Sequence, residues 1–184
     1  FCGCGYVQPY SDTPLDDENV GENVYLNMIH ASEYYIYIFN PYLIIDNEMM
    51  TALCLAAKRG VDVRIVTPGV SDSKVVFWLA DSYFPQLTAN GVKVYMYNPG
   101  FIHAKVFLCD DKAACVGTFN MDYRSLYLHF ECGVFLYKTE SISSIKEDML
   151  ETLKQSTLLT QETLKRSLSM RFCQRILRVI APLL

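Results

Sequence analysis

The 184 residues, 51% hydrophobic and 20% charged, suit one globular domain with a substantial core. The net charge of −4 is uneven: from Thr163 onward there are five Lys and Arg and no acid, so the tail carries +5 and the rest −9. An acidic body argues against general nucleic-acid binding, which relies on a basic surface to neutralise phosphates. No apolar run approaches the roughly 20 residues that cross a bilayer, and the chain opens at Phe1 without a signal-peptide pattern, as a piece cut from a longer protein would. The seven cysteines (Cys2, Cys4, Cys54, Cys109, Cys115, Cys132, Cys173) are odd in number and contain no CxxC pair. That disfavours a zinc site and favours small buried thiols in a reducing compartment.

Residues 1–18 show no period and read as a linker or edge segment. A helix is expected from Asn19 or Gly21 to about Ser32, then a strand at 35–39 rich in aromatic and β-branched residues, stopped by Asn40-Pro41. Asp46 or Asn47 caps a second helix that ends with Lys58-Arg59-Gly60, the charge order the helix dipole favours. A strand at 61–66, a helix over 72–90 and a strand at 92–97 follow. Two short strands, 104–109 and 113–118, are joined by the Asp110-Asp111-Lys112 turn. A strand at 129–137 and a helix over 141–155 complete the body. This order implies an α/β layered domain with a mixed sheet. Tyr34, Tyr35, Tyr37, Phe39 and Tyr42 are expected in the core.

Chemistry concentrates in His103-Ala104-Lys105, then Asp110, then Gly117-Thr118-Phe119-Asn120. On a strand, residues two apart share a face, so His103 and Lys105 project together, and the neighbouring strand delivers Asn120 to the same edge. An imidazole, an ammonium and a carboxamide at one point suit a phosphodiester. Lys and Asn hold the non-bridging oxygens, and His attacks phosphorus or moves a proton. A lone HxK arises often by chance; the joint pattern is far rarer. His30 reads as an ordinary helix residue and His129 as a strand residue without an assigned role.

These residues resemble the phospholipase D superfamily, whose signature is HxKxxxxD followed by Gly-Ser/Thr/Gly-x-Asn, and within it the bacterial cardiolipin synthases. The similarity extends through Asn120-Met121-Asp122-Tyr123-Arg124-Ser125, Leu128-His129-Phe130-Glu131, Asn40-Pro41-Tyr42 and the closing Ala181-Pro182-Leu183-Leu184. The resemblance implies a phospholipase D-like layered α-β-α fold over 19–160, the second catalytic half of such a synthase. It implies that His103 is nucleophile or acid/base, that Lys105, Thr118 and Asn120 bind phosphate, and that Glu131 bonds the far nitrogen of the imidazole. Asp110 belongs to the signature's catalytic set, although its place at the hairpin turn makes it structural.

The two-step reaction needs two histidines on opposite sides of phosphorus, and this chain carries one motif. The resemblance therefore implies a partner: a missing N-terminal half with its own HxKxxxxD, or a second copy of the chain. The isolated chain is then expected to be inactive, with an exposed apolar face. The implied reaction converts two phosphatidylglycerol molecules to cardiolipin and glycerol at the cytoplasmic face of the bacterial membrane. No metal or organic cofactor is called for, since His, Lys and Asn supply nucleophile and charge stabilisation. The competing readings are a homodimeric phosphodiesterase or nuclease of the superfamily, and a catalytically dead interaction module. Finally, Leu168, Phe172, Ile176 and Ile180 recur every four residues beside Arg171, Arg175 and Arg178, so 161–184 forms a basic amphipathic helix. It either packs on the domain with its cations solvated or seats on anionic phospholipids.

Overall fold

A computed structural model describes residues 5–70 and 72–183, so Cys2, Cys4 and the final Leu184 lie outside the described residues. The chain runs β1 (Tyr6–Asp12), α1 (Val20–Ala31), β2 (Tyr35–Phe39), β3 (Leu43–Ile44), α2 (Asn47–Lys58), β4 (Asp62–Pro68), α3 (Lys74–Asp81), α4 (Phe84–Ala89) and β5 (Lys93–Tyr97). Then come β6 (Val106–Cys109), β7 (Ala113–Gly117), β8 (Met121–Asp122), α5 (Tyr123–Tyr127), β9 (Glu131–Tyr137), α6 (Ser141–Lys154), β10 (Ser156–Leu158), α7 (Leu168–Ile180) and a 3₁₀ turn, Ala181–Leu183. Eight strands form one mixed sheet in the order β1-β9-β7-β6-β2-β4-β5-β10, while β3 and β8 pair separately in parallel. Only β2/β4 and β4/β5 are parallel in the large sheet. The expected α-β-α architecture with a mixed sheet is the one found.

Strand β2 shows why the sheet is covered on both sides. Its side chains alternate: Ile36 and Ile38 pack with Tyr25 and Ile29 of α1 and Met49 and Leu53 of α2, whereas Tyr37 and Phe39 pack with Ile142, Met149 and Leu153 of α6. A strand buried on both faces cannot show a polar/apolar alternation, and Tyr35-Ile36-Tyr37-Ile38-Phe39 shows none. Tyr34, just before it, is exposed, against the expectation of a core aromatic.

Several boundaries differ from the sequence reading. The helix expected over 72–90 is two helices, broken at Ser82-Tyr83, with Pro85 in the first turn of α4 where its missing N–H costs nothing. Part of the 1–18 segment is the edge strand β1, held antiparallel to β9 and tied to α1 by Asp12, whose carboxylate accepts from Gly21 N at 2.7 Å. The strand carrying the HxK pair begins only at Val106. The C-terminal helix begins at Leu168, where the Ser167 side chain accepts from Met170 N as its N-cap. Cys54, Cys109 and Cys115 are buried as expected, but Cys132 and Cys173 are exposed.

Asp110 sits at the far end of β6 from His103. Its carboxylate accepts three backbone N–H bonds where β2 begins: Glu33 N at 2.7 Å, Tyr34 N at 2.9 Å and Tyr35 N at 2.8 Å. Its own φ of 52° sets the hairpin turn. Although the signature counts it with the catalytic set, its bonds make it a structural clamp between the hairpin and the central strand. Burial alone would raise its carboxyl pKa, but the three amides outweigh burial and hold it below the ordinary value of 3.8. Because the folded pKa lies below the unfolded one, the clamp is intact above that value and weakens as pH falls through the folded pKa. Asp110→Ala is therefore expected to cost roughly 2–4 kcal/mol in chemical denaturation at neutral pH. The deficit relative to wild type should shrink as the pH is taken below 4.

Candidate active site

His103 and Lys105 lie in the extended segment that leads into β6, and Lys105 O still accepts from Gly117 N at 3.3 Å. The pairing therefore continues one residue past the β6/β7 ladder, and the HxK juxtaposition survives. Lys105 Nζ lies 3.0 Å from both ring nitrogens of His103 and donates to the His103 carbonyl at 2.9 Å. The imidazole is exposed and flanked by two aromatic rings, Phe101 at 5.5 Å and Tyr42 at 6.3 Å between centroids. Tyr42, expected in the core, thus borders the site.

Lys105 is 7% exposed and forms no ion pair among the described residues. Burial lowers its pKa below the ordinary lysine value, opposed by the field of Glu131 and Asp122. An ammonium buried without a bonded anion is costly, and an anionic ligand would relieve that cost.

A second hydrogen-bonded group forms where β7 and β9 run out beside α5. Gly117 permits it: a Cβ there would stand 2.5 Å from Cys132 O and 2.8 Å from Gly133 Cα. Thr118 Oγ1 donates to Glu131 Oε2 and accepts from Cys132 N at 3.0 Å. Ser125 Oγ donates to Glu131 Oε1 at 2.6 Å and accepts from Asn120 N at 2.8 Å. Both Glu131 oxygens are thus engaged by hydroxyls, and none of its hydrogen bonds reaches His103, contrary to the partner the resemblance implies. The imidazole near Glu131 is that of His129, with Nδ1 3.9 Å from Oε1. Asn120 lies at the end of this group, and its Oδ1 is buried without a hydrogen-bond partner among the described residues. A buried, unpartnered amide oxygen marks a place where a ligand or water belongs.

Asn120, Asp122, Ser125, His129, Tyr42 and Arg124 line a cavity of about 300 Å³ whose wall is completed by Ala181. Asp122 caps α5 by accepting from Ser125 N at 2.8 Å. Burial raises its carboxyl pKa above the ordinary value, and Glu131 adds to the effect. The far end of α5 is pinned by Tyr127, which bonds Asp46 at the N-cap of α2 and Glu22 of α1. Ser125 stands in the Asn120–Ser125 run that carries the resemblance, but the sequence assigns it no role. The spacing Asp122-x-x-Ser125 at a helix start was the available signal.

His103, Lys105 and Asn120 are the residue types of an HxK/Asn site, carried on a layered α/β fold with a mixed sheet. A family model described as "Cardiolipin synthase, PLD-like domain" matches residues 25–153. The chain belongs to that family. It is 54% identical over 181 residues to a protein of Streptococcus mutans, covering 98% of this chain and 39% of that one. It is 41% identical over 185 residues to a cardiolipin synthase of a Geobacillus species, covering all of this chain and 37% of the relative. The chain thus spans about two fifths of the length of these relatives. Among solved structures, Nuc of Salmonella typhimurium, a phospholipase D family member, superposes with a TM-score of 0.71 over 84% of this chain and 98% of its own, at 21% identity. That likeness speaks for the fold.

Ser125 is 2% exposed, and its hydroxyl serves Asn120 and Glu131 at once. Ser125→Ala is expected to destabilise the chain by roughly 1–3 kcal/mol, because it leaves a buried carboxylate oxygen and an amide N–H unpaired. Urea unfolding of the two proteins measures it, and equal midpoints would show that the hydroxyl bridge carries no weight.

Proposed function

We infer that this chain supplies one catalytic half of a cardiolipin synthase, transferring a phosphatidyl group from one phosphatidylglycerol to the headgroup hydroxyl of another. The observation that carries this reading is the buried Lys105 ammonium beside His103, without an ion-pair partner among the described residues, in a family of cardiolipin synthases. Lys105 and the Asn120 side chain would hold the non-bridging oxygens and stabilise the charge that grows on them in the transition state. A Thr118 contact to phosphate, which the resemblance implies, would require its hydroxyl proton to leave Glu131. The diester phosphorus sits between His103 and a second imidazole. One imidazole attacks, forming a phosphohistidine as the P–O bond to glycerol breaks, and the other gives its proton to the departing alkoxide. The imidazole that gave up its proton then takes the proton of the incoming hydroxyl, whose oxygen displaces the phosphorylated histidine. The products are cardiolipin and glycerol.

The second imidazole is proposed to come from outside this chain. The relatives are some two and a half times longer, and His30 and His129 stand in no second HxK. Phe101, Leu128 and Phe130, bordering the site segments, are 39%, 58% and 71% exposed, an apolar rim that a second half would cover. The alternative is a homodimeric phosphodiesterase of the same superfamily. It is favoured by the match of one such unit to 98% of the Nuc chain and disfavoured for nucleic acid by the −9 body.

The test incubates phosphatidylglycerol vesicles with the full-length polypeptide containing this chain, and lipid products are read by mass spectrometry. Cardiolipin and glycerol are expected in equal amounts. His103→Ala should reduce the rate at least about 100-fold, and the isolated chain should show no turnover. Cleavage of a nucleic-acid substrate without lipid product would move the assignment to the alternative.

A further inference from the structure

The C-terminal helix faces the opposite way from the one a packed amphipathic helix would choose. Its most buried residue is polar: Gln174, 7% exposed, donates to Trp78 O at 3.2 Å and to Asp81 Oδ2 at 2.9 Å on α3. Arg178 joins it on this side, donating to Ser82 Oγ at 3.1 Å and lying 4.0 Å from the centre of the Tyr83 ring. Two positions to either side of Gln174, about 200° around the helix, Phe172 and Ile176 point away from the domain. They are 64% and 52% exposed, and Leu168 and Val179 extend the stripe at 83% and 80%. Leu177, on the docked side, packs half-buried against the core. A single exposed apolar residue needs no explanation; four along the opposite helix face do.

Next to this stripe, between α7 and the α3–α4 corner, lies a cleft of about 340 Å³ lined by Lys165, Arg166, Arg171, Arg175 and Arg178. Arg166 is neutralised by Asp81 at 2.7 Å. Lys165, Arg171 and Arg175 are exposed and form no ion pair among the described residues. None of the residues placed in the candidate active site lines this cleft. We propose that α7 is an interfacial helix: its outward stripe enters the acyl layer of an anionic bilayer while the basic cleft beside it takes headgroup phosphates. Charge complementarity selects this occupant. The tail's +5 is attracted to an anionic surface and the −9 of the remainder is repelled, so the chain seats in one orientation. The turn that follows α7 places Ala181 in the wall of the cavity containing Asn120, so the seat and the candidate catalytic cavity share a border. The inference does not depend on the catalytic reading.

Co-sedimentation of the chain with vesicles tests it. Wild type is expected to bind vesicles of mixed phosphatidylcholine and phosphatidylglycerol and to stay in solution with phosphatidylcholine alone. Phe172→Glu/Ile176→Glu should abolish binding with an unchanged circular dichroism spectrum, because both side chains are already in solvent. Arg171→Gln/Arg175→Gln should weaken it about 5-fold per arginine, more at low salt than at high. Three results would overturn the proposal. The first is undiminished vesicle binding by both double variants. The second is self-association of wild type, abolished by Phe172→Glu/Ile176→Glu, without vesicle binding, which makes the stripe a protein interface. The third is saturable binding of inorganic phosphate, lost in Arg171→Gln/Arg175→Gln, without vesicle binding, which makes the cleft a site for free anions only.

Discussion

A lysine ammonium removed from water and left without a carboxylate in contact sets the terms for the rest of the site. Lys105 is buried beside an exposed imidazole, and the nearest acids are committed elsewhere: Glu131 to Thr118 and Ser125, Asp122 to the start of α5. Their field still reaches Lys105 and opposes the burial that lowers its pKa. Had either carboxylate closed on the ammonium, the pair would be neutral and a phosphate would find no net charge. Keeping the acids at one remove, occupied by hydroxyls and amides, preserves a positive centre that an anion can complete. The surrounding fold serves that spacing. Asp110 clamps the hairpin to β2, Gly117 lets β7 close on β9, and α5 is fixed at both ends.

Much of the scaffold was legible because its signals are local. The caps and terminal glycine of α2, and the continuous apolar run of β2, are written in adjacent residues. Pairings too short to leave a pattern were not legible: β3 and β8 are two residues each, and β10 is three. The break between α3 and α4 was visible only as Pro85 in a run that otherwise suits one helix. Within the site, the residue types were readable and their partners were not. His103 and Lys105 meet as a strand would have them meet, although the strand begins one residue later. Glu131 turns to Ser125 because α5 folds that hydroxyl between Asn120 and β9, which no spacing rule expresses.

The tail shows the same limit most clearly. A four-residue period identifies an apolar stripe but not the side on which it docks. The decision rests on Gln174, whose amide finds Asp81 and the Trp78 carbonyl, and on Arg178 over Tyr83. Those polar contacts, with Leu177 against the core, hold α7 with its exposed apolar stripe outward. The solvated cations of one sequence expectation are present at Lys165, Arg171 and Arg175, and a solvated apolar stripe stands beside them.

The central claim is that the Lys105 centre is a phosphoryl site. A structure of the chain with vanadate, which mimics the five-coordinate phosphorus of a transferring phosphoryl group, tests it most directly. The account predicts vanadium bound to the imidazole of His103, with its oxygens in hydrogen-bond contact with Lys105 Nζ and the Asn120 carboxamide. Vanadate held only among the arginines of α7, or a Lys105 centre that stays empty at saturating vanadate, would contradict it.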